Sequence, residues 1–155
     1  MNVKKDVVPS ILLSYFITMV DMNAQNSLDA EMNYNCAFNF PAIALTLGLA
    51  NWKYVKDLYK KLSEDNNWKV RQTLAYSIHE LALILGTECT QTELVPVFDS
   101  FIKDVDEVRM GIVSNLSKFL SVLSLEYRVA YMPKLNDFLR MDNVRNWRFR
   151  NELGL

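Results

Sequence analysis

Val70, Leu74, Ile78, Leu81 and Leu85 recur thirty-eight residues further on as Val108, Ile112, Leu116, Phe119 and Leu123, and Arg71 recurs beside its valine as Arg109. Steps of three and four residues put each set on one face of a helix. A helical unit repeated at this period cannot bury its apolar stripe alone and must stack on its neighbours. The chain is therefore expected to be an all-α array that offers partners an extended surface, which makes binding the leading class of function.

The units can be followed along the chain. In one of them, Trp52, Val55, Leu58, Tyr59 and Leu62 share a face of a first helix, Glu64-Asp65-Asn66-Asn67 forms a turn, and the Val70 to Leu85 stripe forms a second helix. Asp65 or Asn67 is expected to cap that second helix and Gly86 to end it in a left-handed conformation. The next unit is expected to open with Thr90 or Thr92 as its cap. Leu94, Val97, Phe98 and Phe101 then repeat Val55, Leu58, Tyr59 and Leu62 at an offset of thirty-nine, before the acidic linker 104–107. Met132, Pro133, Leu135, Phe138 and Leu139 repeat Val95, Pro96, Phe98, Phe101 and Ile102 at an offset of thirty-seven. Asp142-Asn143 supplies a turn, Trp147-Arg148-Phe149-Arg150 starts a helix, and the sequence stops at Leu155, inside that last unit. The first unit diverges most, with a helix near 6–20, a polar connection over 21–29, and a second helix ending near Gly48 that Pro41 should kink or restart. Approximate units are 1–49, 50–87, 88–124 and 125–155, in one domain.

Composition fits. With 155 residues, half of them hydrophobic, the chain can bury a core, and four Gly with four Pro leave little material for the turns of an all-β fold. A net charge of −1 gives no drive toward nucleic acid or an anionic membrane surface. Charge is uneven, since no Lys or Arg lies between Asp6 and Trp52 while Arg128, Lys134, Arg140, Arg145, Arg148 and Arg150 crowd the other end. No apolar run reaches the ~18 residues of a membrane span. Lys4-Lys5 before an apolar stretch is signal-like, but Asp6, Pro9 and the lack of a small-residue cleavage pair argue against secretion. Cys36 and Cys89, fifty-three residues apart with no CxxC spacing, are expected to be free buried thiols rather than a disulfide or zinc ligands.

A period of 37–39, a Pro in first helices (Pro9, Pro96, Pro133), an acidic turn (Asp65, Asp104 with Asp106, Asp142) and Val-Arg opening second helices (Val70-Arg71, Val108-Arg109) resemble the HEAT repeat. That resemblance implies an α-solenoid of about four helix pairs with the last one truncated. It also implies an Asp–Arg ladder between neighbouring units, carried here by Asp65, Arg71, Asp104 and Arg109. The strings CAFNFPAIALTLG from Cys36, WKVRQTLAYSIHELALILG from Trp68 and RNWRFRNEL from Arg145 are similar to an internal segment of the family of regulatory subunit 1 of serine/threonine protein phosphatase 4. The resemblance implies a non-catalytic scaffold that binds the phosphatase catalytic subunit, with no cofactor, in the cytoplasm or nucleus. Members of that family are far longer, so the chain looks like a short paralogue or a truncated product.

Sharper chemistry fails on inspection. His79-Glu80 opens an HExxH zinc motif, but Leu83 stands where the second ligand must be, and the chain has one His. A Ser-His-Asp or Cys-His arrangement around His79 has no local support. The run 145–150 could stack bases on Trp147 and Phe149, yet its repeat position makes it a helix start. Asn115-Leu116-Ser117 matches a glycosylation sequon inside an expected helix. At about 100° per residue, Gln72, Tyr76, His79 and Leu83 fall opposite the buried stripe. One unit on, the same places hold Met110, Ser114, Ser117 and Ser121. Second helices line the concave face of HEAT arrays, so Gln72, Tyr76, His79, Met110, Ser114 and Ser117 are the expected partner contacts. Phe138, Leu139, Trp147 and Phe149 would lack neighbours in a cut array, so fraying and self-association through the open end are also expected.

Overall fold

The computed structural model describes residues 29–140, together with Ser14 and Asn151. The first helix of the opening unit, the turn at Asp142 and the Trp147–Arg150 helix start lie outside the described residues. Among those described there are seven α-helices and no strand, arranged as an all-α solenoid. They are α1 (Asp29–Leu47), α2 (Lys56–Ser63), α3 (Trp68–Cys89), α4 (Val95–Ile102), α5 (Asp106–Ser114), α6 (Leu116–Val122) and α7 (Leu125–Arg140).

The thirty-eight-residue stripe decides the packing. All ten of its residues, from Val70 to Leu85 and from Val108 to Leu123, are buried. Carried back one further step, the same register picks out Cys36, Phe40 and Leu47 of α1, also buried. The helices that carry the stripe form one layer in which α3 lies between α1 on one flank and α5–α6 on the other. Two aromatic nodes pin the structure. Phe40 meets Tyr59 and Trp52 at centroid distances of 5.0 and 6.2 Å, while Phe98 stacks on Phe119 at 4.3 Å and takes the edge of Tyr131 at 5.5 Å. The Tyr131 hydroxyl donates to Asp99 at 2.8 Å, which ties α7 back to α4.

Local chemistry sets the helix ends, and here several expectations are corrected. Asn67 is the cap of α3, its side-chain oxygen accepting from the Lys69 N–H at 3.1 Å, while Asp65 accepts from the Asn67 N–H at 2.7 Å. Gly86 takes φ 77° and bends the backbone, but helix resumes at once rather than ending. Neither Thr90 nor Thr92 caps the next helix. Thr90 is fully buried and donates to the Ala82 carbonyl at 3.2 Å, Thr92 donates back to Glu88, and a π-helical turn over Thr90–Leu94 leads into α4. The expected first helix from Trp52 is a 3₁₀ turn (Leu49–Tyr54) followed by α2, because Val55 at φ −117° interrupts it. The expected helix from Val108 to Leu123 is two helices, broken at Asn115 (φ −130°, ψ 23°), so the sequon sits at a break and not inside a helix. Asn115 donates across to the Tyr76 carbonyl of α3 (3.4 Å) and accepts from Lys118 (3.2 Å), side-chain bonds made at the break. Pro41, by contrast, sits within α1 without breaking it.

Candidate functional site

A groove of about 960 Å³ runs between α1 and α3. Its existence follows from what the two helices carry where they face away from the buried layer. On α1, Tyr34 and Phe38 stand one turn apart, with Phe38 66% exposed. On α3, Trp68 and Tyr76 stand two turns apart, half exposed at 38% and 42%. Glu31 and Glu80 also line the groove, as does Lys69, whose ammonium lies 5.9 Å from the Trp68 ring centroid. Trp68 thus begins a helix without being buried, unlike the Val70 that follows it.

The thirty-eight-residue register makes the pattern plain. Tyr34, Gln72 and Met110 occupy one position of successive units, Phe38, Tyr76 and Ser114 a second, and Leu45, Leu83 and Ser121 a third. The face is aromatic and apolar at α1 and turns polar by α5 and α6. Leu45 and Leu83, beyond the groove, are also well exposed.

The six expected contact residues are scattered by the structure. Gln72 and Tyr76 line the groove, although the Gln72 amide also donates to the Glu107 carbonyl at 3.2 Å and so ties α3 to α5. Ser117 is exposed on α6. Met110 is half-buried against the core, and half-buried Ser114 donates to the Met110 carbonyl at 2.9 Å. His79 is not on an open face at all, being 7% exposed. The helical wheel misplaces it because α3 has neighbours on both flanks, which narrows the free strip opposite its stripe. Burial lowers the His79 pKa, Glu80 partly opposes this, and Nδ1 has no hydrogen-bond partner. Burial also pushes the Cys36 thiol up to about 12 and raises that of Cys89. Both are free thiols that stay protonated and weakly nucleophilic at neutral pH.

The ladder residues lie at the edge of the same layer. Arg71 grips the Asp104 carboxylate in bidentate fashion (2.6 and 2.7 Å) and donates to the Asp65 carbonyl at 2.6 Å, joining the turn of its own unit to the next. Burial raises the Asp104 carboxyl, but hydrogen bonds from Arg71 and the Val105 N–H together with the Arg71 charge outweigh it and hold it below the usual range, while Arg71 is raised in turn, chiefly by the bond to Asp104. One unit earlier, Asn33 occupies the arginine position and donates to the Asp65 carboxylate at 2.7 Å. Sequence reasoning missed Asn33 because it sought a charge, although counting back thirty-eight from Arg71 lands on it. Arg109 lies 3.3 Å from Asp106, and Asp142, its counterpart by register, lies outside the described residues.

Residues 36–138 match the family model described as the middle domain of protein phosphatase 4 regulatory subunit 1. The chain is 48% identical over 150 residues to serine/threonine-protein phosphatase 4 regulatory subunit 1 of Homo sapiens, and equally to those of Mus musculus and Rattus norvegicus. Those matches cover 97% of this chain and 16% of each relative's length.

Proposed function

Given that this chain belongs to the protein phosphatase 4 regulatory subunit 1 family, we propose that it is a non-catalytic scaffold that binds the catalytic subunit of serine/threonine protein phosphatase 4 and modulates its activity or targeting. The observation that carries this reading is the match along nearly the whole chain to proteins named as regulatory subunits. The groove between α1 and α3 supports it by offering exposed aromatic side chains of the kind that anchor protein interfaces. The division into HEAT units at 1–49, 50–87, 88–124 and 125–155 belongs to the same proposal, with Asp65, Arg71, Asp104 and Arg109 as its ladder. So does action in the cytoplasm or nucleus; no described helix is long and apolar enough to cross a membrane.

A second reading has an observation in its favour. The chain spans 16% of the length of the relatives it matches, so it can act as an interaction module that takes a polypeptide partner without engaging the catalytic subunit. Capture of purified catalytic subunit by the immobilised chain separates the two. The scaffold reading expects capture, weakened about tenfold or more by Phe38→Ala with Tyr76→Ala, since loss of a central aromatic anchor costs an interface roughly 2 kcal/mol or more. No capture by the folded chain overturns the scaffold reading and leaves the module.

A further inference from the structure

The groove between α1 and α3 has a charge pattern that says what would fill it. The only charged side chains of α1 are Asp29 and Glu31, both acidic. Among the described residues, Glu80 of α3, across the groove, has only the His79 imidazole within ion-pair distance, at 4.0 Å, and Glu31 has no cation within that distance. The exposed rings of Tyr34, Phe38 and Tyr76 line the same groove as these two carboxylates. Aromatic faces attract a cation and cover the methylene stem that carries it, and carboxylates beside them hold its charged head. The chain already makes this kind of contact within the groove, where Lys69 lies over Trp68. At about 960 Å³ and open to solvent, the groove is larger than a single side chain needs and has room for several residues of a polypeptide.

We infer that the groove lined by Tyr34, Phe38, Tyr76, Glu31 and Glu80 is a docking site for a partner polypeptide segment that presents an arginine or lysine side chain. The aromatic rings flank the stem of that side chain and the two glutamates receive its charge. Polar groups at the rim fix the segment's backbone. Asn39 and Asn67 line the groove, the Asn39 amide donating to the Asn35 carbonyl and the Asn67 oxygen accepting from the Lys69 N–H. The inference concerns the same groove that the scaffold reading uses and goes beyond that reading by naming the chemistry of the segment the groove takes.

Panning a phage-displayed library of random peptides against the immobilised chain tests the inference. The retained pool is expected to be enriched several-fold in Arg or Lys at a fixed position. Replacing a selected arginine by citrulline, which keeps the shape and removes the charge, or a selected lysine by its neutral isostere 6-hydroxynorleucine, is expected to weaken binding about tenfold. Glu31→Gln with Glu80→Gln, and separately Phe38→Ala, are expected to weaken it at least about fivefold. All three positions are exposed, and an unchanged circular dichroism melt confirms that each variant is folded. The inference is overturned by a pool that is acidic, wholly apolar or empty, by equal binding of the neutral peptide, or by indifference to the glutamate substitutions. A dimer of the chain that the same glutamate substitutions dissolve also overturns it, since the occupant would then be a second copy. Catalytic-subunit capture is measured separately, so failed peptide selection leaves the scaffold reading standing.

Discussion

His79 shows how one side chain sets a response to pH. Its imidazole is buried and its pKa is lowered, first by desolvation. The fold therefore favours the neutral form, and the associated stability is present above the unfolded value of about 6.5 and is lost as pH falls below it. Thermal melts at pH 7.5 and 5.5 are expected to show a larger drop for the native chain than for His79→Leu, and an equal drop in both would contradict this. Asp104 acts with the same sign in a lower window. Its lowered pKa means that the Arg71 pair persists through neutral and mildly acidic pH and is lost only as the carboxylate protonates, below about pH 4. Arg71→Ala is expected to cost roughly 2–3 kcal/mol in urea unfolding, because a part-buried bidentate bond is lost and the Asp104 carboxylate is left in place. A cost under about 0.5 kcal/mol, as for an exposed pair, would contradict it.

At the scale of the element, close approach decides the sign of a substitution. Gly111 lies where α5 crosses α3, and a Cβ there would stand 2.9 Å from the Ala75 Cβ and 3.0 Å from the Tyr76 nitrogen. Alanine in a helix normally gains about 1 kcal/mol over glycine. Here the contact is with backbone and a Cβ that cannot rotate away, so Gly111→Ala is expected to destabilise by about 1–2 kcal/mol. A raised melting temperature would refute the packing described. At Gly86 the obstacle is conformational, since φ 77° with ψ 176° is open to glycine and strained for other residues. Gly86→Ala is expected to cost about 1–3 kcal/mol despite the open space around it. The element scale is also where sequence reading stopped. The register of buried positions is legible because it depends only on period, and it holds from Phe40 to Leu123. The π turn at Thr90–Leu94 and the break at Asn115 are not, because each depends on a bond to a residue beyond the local turn, eight positions away from Thr90 to Ala82 and thirty-nine from Asn115 to Tyr76.

For the whole molecule, α3 is the spine, held by α1 on one side and α5–α6 on the other. Half of the groove was legible. Tyr76 and Gln72 follow from the helical wheel, whereas Tyr34 and Phe38 become visible only when the register is carried back into α1, which Pro41 made look discontinuous. His79 was misplaced because a wheel shows direction but not how many neighbours a helix has. On the proposed scaffold role, the exposed side of α1 and α3 is expected to receive the phosphatase catalytic subunit. Hydrogen–deuterium exchange of the chain, alone and saturated with purified catalytic subunit, tests it most directly. Slowed exchange is predicted in peptides of α1 and α3, with α2 and α4 unchanged. Unchanged exchange throughout, or slowing confined to α2 and α4, would contradict it.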